Sequence, residues 1–246
     1  MLHRFSRWEL LIGETRLEIL RNSSVAIFGI GGVGSFAAEA LARSGIGRIR
    51  LVDHDLVSLT NINRQLPALD TTIGLAKVQV MAERIRQINP DCQVEPIEAF
   101  LAADNQHELI TTDLDYIVDA IDTVASKLVL IERCYELGLP IVSSMGAGNK
   151  FDPSLLQVAD ISQTRVDPLA RVIRRELRQR GIHKGVQVVF STETPTTPAA
   201  ASQARVQAAE KQDTSRRQIP GSSAFVPPAA GLLLASVVVR NLLARQ

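Results

Sequence analysis

Cysteine is nearly absent: Cys92 and Cys134 are the only thiols in the chain. Two thiols cannot build a disulfide framework or a four-thiolate zinc site, and such sparse use suits a reducing compartment. Aromatic residues make up 4% of the sequence, too few for a sheet that reads RNA through rows of stacked rings. Neither sign of charge dominates. With 27 Lys and Arg against 26 Asp and Glu, the formal charge is +1, so no global field drives the chain onto DNA or an anionic membrane. The longest apolar run, residues 225–239, is interrupted by Pro227, Pro228 and Gly231. It is also shorter than the roughly 20 residues a spanning helix needs. The first residues include His3, Arg4, Arg7 and Glu9, without the apolar centre of a secretory signal. These absences predict a cytoplasmic enzyme. A chain of 246 residues with 46% hydrophobic content is long enough to bury a sizeable core.

What is present alternates. Residues 24–28 (SVAIF) form a β-branched run ending in a glycine cluster, and 34–43 has helical spacing that stops at Ser44-Gly45. Further strands are predicted at 48–52, 93–97, 115–121 and 140–144, with helices at 75–88 and 126–137. Strands separated by helices of ten or more residues imply parallel pairing with helices on both faces. The expected fold is α/β, a doubly wound, mostly parallel sheet. Residues 155–161 and 185–191 read as additional strands flanking a basic helix at 168–180, a C-terminal extension of antiparallel character. Residues 229–243 read as a buried C-terminal helix. Residues 192–221, rich in Thr, Pro, Ala and Gln with few large apolar side chains, read as a mobile loop. The chain is treated as one domain, 1–147 forming a nucleotide-binding core and 148–246 a crossover, loop and terminal helix.

The first strand runs into Gly29-Ile30-Gly31-Gly32-Val33-Gly34, a G-x-G-x-x-G between strand and helix. Glycines there allow a tight turn and let backbone N–H groups approach phosphates at a helix N-terminus. Asp53 ends the next strand, where a carboxylate can bind ribose hydroxyls. This is the Rossmann-like nucleotide fingerprint, and by itself it leaves ATP and NAD both open.

Three further features point to ATP. These are Asp53-His54-Asp55 followed by Asn61-Ile62-Asn63-Arg64-Gln65, then Gly74-Leu75-Ala76-Lys77, and Asp119-Ala120-Ile121-Asp122. In a parallel sheet all of them emerge at the carboxyl edge, beside the glycine loop. Arg64 and Lys77 are suited to neutralising a triphosphate, and Asp122 to holding Mg²⁺ through one carboxylate. Attack on the α-phosphorus needs positive charge on the equatorial oxygens and on departing pyrophosphate. Each residue also has an ordinary alternative: Asp122 as a helix cap, Lys77 on a solvated face, Asn61 in a turn. A nicotinamide dehydrogenase would need a proton-relay group, for which His3, His54, His107 and His183 offer no clear candidate.

The combination GIGGVGS, LVDHDLVSLTNINRQ, GLAK and DAIDT resembles the ubiquitin-activating-enzyme-like superfamily, which includes the bacterial adenylyltransferases of the thiamine and molybdopterin sulfur carriers. The resemblance implies that Gly29, Gly31, Gly32 and Gly34 hold phosphates and Asp53 ribose. It implies that Asp55, Asn61, Arg64, Gln65 and Lys77 line the nucleotide, and that Asp122 positions Mg²⁺. The segment Arg4-Phe5-Ser6-Arg7 is similar to an N-terminal motif whose arginine reaches the neighbouring subunit's site, so Arg7 is a candidate catalytic arginine within a homodimer.

The chain departs from the sulfur-carrier enzymes in lacking C-x-x-C pairs, so no zinc is expected. It departs from thioester-forming members in having no cysteine in 161–189. Throughout its length, in RFSRWELLIG, SMGAGNKFDP, VQVVFSTETP and GSSAFVPPAAGLLLASVVVRNLL, it resembles the tRNA threonylcarbamoyladenosine dehydratases. That resemblance implies ATP-driven adenylation of the threonyl carboxylate, then ring closure by the neighbouring carbamoyl group with loss of one water. An intramolecular nucleophile makes a cysteine unnecessary. It leaves room for a cysteine-desulfurase or sulfur-relay partner. The alternative is an adenylyltransferase acting on the C-terminal carboxylate of a ubiquitin-like carrier. A tRNA substrate requires a basic surface, and Arg171, Arg174, Arg175, Arg178 and Lys184 are its candidates, with Arg205, Lys211, Arg216 and Arg217 in the loop beyond.

Overall fold

The computed structural model describes residues 2–200, 202 and 219–245. Seven strands form one sheet: β1 (Ser24–Phe28), β2 (Arg48–Val52), β3 (Gln93–Ile97), β4 (Tyr116–Asp119), β5 (Ile141–Ser144), β6 (Leu156–Asp160) and β7 (Gln187–Ser191). Their order is β3-β2-β1-β4-β5-β7-β6. All neighbours run parallel except β6 and β7, which pair antiparallel. This is the doubly wound sheet with an antiparallel extension that the alternation predicts.

Along β1 the side chains part with the strand's period of two. Val25 and Ile27 join one core layer, Ala26 and Phe28 the other. The first layer takes its apolar faces from α2 (Glu14–Arg21), α3 (Gly34–Arg43), α4 (Lys77–Ile88) and α8 (Val226–Leu243). The second takes them from α5 (Gln106–Leu109), α6 (Val124–Leu137) and α7 (Pro168–Gln179). Both sheet faces are therefore covered, as a parallel sheet requires.

α8 begins three residues before the helix expected at 229–243, and it takes in most of the apolar run at 225–239 that reads in sequence as too short and too broken to span a membrane. It has 18 residues with a mean hydropathy of 1.6, long and apolar enough by composition to cross a membrane. Pro227 and Pro228 lie in its first turn, where a missing N–H costs nothing, so they start the helix instead of interrupting it. More than half of it is buried within the fold. It lies against α3 so closely that a Cβ on Gly231 would come within 2.2 Å of the Val33 carbonyl oxygen.

Other boundaries shift by a residue or two. β4 ends at Asp119, not 121, and α6 begins at Val124. α1 (Ser6–Ile12) and α2 were not predicted as helices; they are seven and eight residues long, broken at Gly13 with φ +84°. Of the predicted loop at 192–221, residues 203–218 lie outside the described residues, together with Arg205, Lys211, Arg216 and Arg217. Its described ends are tied down: Thr192 N–H donates to the Leu155 carbonyl and Thr196 N–H to that of Asn149.

Candidate nucleotide and acyl-transfer site

The registers place Phe28, Val52 and Asp119 side by side, with Ser143 next to Asp119. Their following loops share the carboxyl edge of the sheet. The glycine loop turns there through Gly29 at φ +88°, and a Cβ on Gly34 would stand 1.7 Å from the Gly29 carbonyl oxygen. Only glycine permits that strand-to-helix turn. No side chain caps the N-terminus of α3, so its first-turn amides and dipole are presented to an anion.

Asp53 organises the loop. Its Oδ2 accepts the Ile30 N–H at 2.5 Å and its Oδ1 the Asp55 N–H at 2.8 Å. Each carboxylate oxygen retains a further lone pair for a hydroxyl. Lys77, 4% exposed, stands at the first position of α4 and donates to Asp55 Oδ2 at 2.7 Å. A cation is disfavoured by the dipole at a helix N-terminus, and the Asp55 carboxylate is the partner that offsets it here.

Between them a single turn of 3₁₀ helix carries Asn61, whose Oδ1 accepts the Ser58 N–H at 3.1 Å. Arg64 is anchored to the Thr60 carbonyl at 2.8 Å and Asn63 Oδ1 at 2.9 Å, and its Cγ lies 3.2 Å from where a Cβ on Gly32 would be. Gln65 is 8% exposed, and its Oε1 is buried without a partner, while its Nε2 lies 3.7 Å from a Cβ position on Gly31. An unpaired buried acceptor costs about 1–3 kcal/mol, and this one adjoins the loop that would hold phosphates. Asp122 is exposed in the turn after β4, and the Thr123 hydroxyl donates to it at 3.3 Å. The first residue of α6's cap is thus Thr123, not Asp122. Among the described residues Asp53, His54 and Asp55 form one group whose ligand atoms lie within 4.8 Å of one another.

Beneath this edge lies a buried network that motif reasoning missed. Lys127, fully buried in α6, donates to Asp119 Oδ2 at 2.7 Å, Ser143 Oγ at 3.1 Å and the Ser144 carbonyl at 2.9 Å. A second one joins Lys150 to Asp167 Oδ2 at 2.5 Å, with the Gly146 carbonyl at 2.6 Å. Asp167 also caps α7 by accepting the Ala170 N–H at 2.9 Å. A lone lysine within an otherwise apolar helical run, SKLVLI, is the signal that could have found Lys127.

Two expectations are not gathered at this edge. Arg7 is exposed on α1, a helix whose Phe5 ring lies 3.7 Å from a Cβ position on Gly45 and whose neighbour Arg4 binds the Ile88 carbonyl. Both contacts are at the amino edge, a full length of α3 from the glycine loop, about 15 Å. Arg171, Arg174, Arg175 and Arg178 line an open groove of about 500 Å³ along α7, and Lys184 lies in the turn between the end of that helix and β7. Within the groove Arg174 is held by the Thr164 carbonyl and hydroxyl, and Arg175 by Glu176.

Both cysteines are buried and disfavoured as thiolates. Burial pushes the Cys92 thiol up to about 11, and burial together with the nearby Asp119 pushes Cys134 higher still. The edge thus combines an uncapped helix terminus, the Asp53 carboxylate beside the glycine loop, Arg64 and Lys77, and the exposed Asp122, while both cysteines are buried. That is the equipment of an adenylating enzyme.

The chain belongs to the ThiF family, whose profile matches residues 5–245. It is 50% identical to the tRNA threonylcarbamoyladenosine dehydratase of Bacillus subtilis over 99% of this chain and 96% of that protein. It is 46% identical to the enzyme of that name from Escherichia coli over 79% of this chain and 75% of that one. The crystal structure of E. coli tRNA N6-threonylcarbamoyladenosine dehydratase, TcdA, in complex with ATP superposes with a TM-score of 0.88 and 39% identity. That match covers 98% of this chain and 94% of that one.

Proposed function

We propose that the protein is an ATP-dependent tRNA threonylcarbamoyladenosine dehydratase. The observation that carries this reading is a nucleotide edge without a thiolate: cations and a glycine loop converge at one edge of the sheet, and both cysteines are buried away from it. An activated carboxylate formed there must be consumed by a nucleophile that the substrate brings.

The glycine loop and the N-terminus of α3 bind the phosphates, Asp53 the ribose, and Arg64 and Lys77 the charge that grows on the departing pyrophosphate. Gln65 and Asn61 orient the same groups. Asp122 would hold Mg²⁺ together with phosphate oxygens, since one carboxylate plus substrate is how that ion is usually bound. The threonyl carboxylate oxygen attacks the α-phosphorus, and the bond to pyrophosphate breaks. The neighbouring carbamoyl nitrogen or oxygen then attacks the acyl carbon, and AMP leaves with the former carboxylate oxygen. Proton release completes the loss of one water. Proximity supplies what a covalent enzyme intermediate supplies elsewhere.

The basic groove on α7 is the expected phosphate-tracking face for tRNA. The position of Arg7, a helix length from the glycine loop of its own chain, supports a homodimer in which it acts on the partner's site. A cytoplasmic location goes with a tRNA substrate.

The test incubates the protein with ATP, Mg²⁺ and tRNA bearing threonylcarbamoyladenosine, then weighs the gently released nucleosides. An ATP-dependent species lighter by one water is expected. An unchanged nucleoside, with adenylation of a peptide ending in Gly-Gly instead, would overturn the reading in favour of a carrier-protein adenylyltransferase.

A further inference from the structure

Aromatic side chains are scarce in this chain, yet two of them meet in solvent. Phe151 is 70% and Phe225 is 54% exposed, and their rings pack edge to face with centroids 5.9 Å apart at 85°. Nothing in the core uses them. The backbone beneath is nonetheless fixed. The Glu193 carboxylate accepts the N–H groups of Phe151, at 2.8 Å, and Asp152, at 2.9 Å. Two residues past Phe225, Pro227 abuts the glycine loop, with its Cβ 3.2 Å from a Cβ position on Gly32. On the other side, Phe151 follows Lys150, whose bond to Asp167 ties this loop to the N-terminus of α7. Arg171 lies about 6 Å further along that helix. The ring pair thus bridges the phosphate loop and the arginine face.

We infer that Phe151 and Phe225 form the stacking platform for the modified adenine of the tRNA substrate, an assignment that rests on the function proposed above. Two rings at right angles make a notch in which a base lies flat on one ring and meets the other with its edge. Bases that undergo chemistry leave their stack and are received on aromatic side chains. The adenine of ATP is not the occupant. Its ribose carboxylate, Asp53, follows β2, whereas Phe151 comes seven residues after β5, a strand three places from β2 in the sheet and so about 14 Å from it at the usual strand spacing. A base held at the notch presents its substituent toward the glycine loop, where the phosphates are bound.

The experiment compares wild type with Phe151→Leu/Phe225→Leu, which keeps apolar bulk and removes the π faces, and with Phe151→Trp/Phe225→Tyr. Full-length proteins are assayed for the water-loss product while tRNA and ATP are varied separately. Loss of a stacked base is worth about a 10- to 100-fold rise in KM for tRNA. We expect that rise in the Leu variant, an unchanged KM for ATP, and recovery to within about threefold in the aromatic variant. Both rings are exposed, so thermal melts should coincide. If wild type is active and the Leu variant matches it, the platform is refuted while the enzyme assignment stands. A rise in KM for ATP would also refute it, since the rings would then serve ATP. If wild type leaves the nucleoside unchanged, both assignments fall together.

Discussion

Lys127 and Lys77 are both buried, both belong to helices that begin at the carboxyl edge, and both meet an aspartate at 2.7 Å. They differ in what surrounds the pair. Around Lys127 and Asp119 the side chains are wholly inaccessible, and all three ammonium protons are used, on Asp119, Ser143 and the Ser144 carbonyl. Asp119 Oδ1 accepts the Ile121 N–H, and the Ser143 hydroxyl donates to Oδ2 at 2.5 Å. Around Lys77 the partner Asp55 is half exposed, and the ammonium stands against its own helix dipole. The closed pair locks strands β4 and β5 to α6 and so fixes the turn that carries Asp122. The open pair leaves the Lys77 ammonium with a single, half-exposed partner, the arrangement expected of the phosphate-binding role proposed for it. Burial alone does not separate the two; the count of satisfied protons does.

Removing the closed pair's cation should have the largest effect. Lys127→Met leaves Asp119 buried without its counter-charge, which typically costs about 3–5 kcal/mol. Urea unfolding should show that loss, and Lys127→Met/Asp119→Asn should recover a substantial part of it. A single variant as stable as wild type would mean that Asp119 is reached by water or holds a proton, and the comparison would fail.

Opening the other pair should act on rate. In Lys77→Ala the half-exposed Asp55 turns to solvent, so stability should stay within about 1 kcal/mol of wild type. Single-turnover AMP formation should fall about 10²- to 10³-fold, the usual effect of deleting a charge that meets the transition state. Equal losses of stability in Lys77→Ala and Lys127→Met would erase the distinction.

The layout of this edge was largely legible in the sequence because it depends on local rules. A glycine pattern between a strand and a helix can turn in few ways, and parallel pairing carries the ends of β1, β2 and β4 to one side. The less legible features are long-range. Asp119–Lys127–Ser143 joins residues from three elements, and Lys150–Asp167 spans a crossover whose return path no periodicity reveals. The α7 cations show the same limit. As a sequence they form one basic cluster, but in the fold Arg174 is taken up by Thr164 and Arg175 by Glu176. The helices α1 and α2 were too short for periodicity to register. The start of α8 was obscured by prolines, which signal breaks inside a helix and beginnings at its first turn.

A third pair, on the surface, sets the lower end of the scale. Arg48 binds the half-exposed Asp113 carboxylate, which also accepts from the Thr111 hydroxyl. The Thr111 hydroxyl first, then Arg48, hold Asp113 at about 2, below the ordinary 3.8. Because the folded value is the lower one, its stabilisation is complete above about pH 4 and is lost as pH falls through 2. Solvent screening reduces it to about 1 kcal/mol or less. Asp113→Asn should therefore cost that much at pH 7 and almost nothing at pH 2, measured as the difference in urea unfolding free energy from wild type. A difference that stays constant across this range would assign the effect to packing or hydrogen bonding, not charge. A difference as large as that of Lys127→Met would show that exposure does not govern what these pairs contribute.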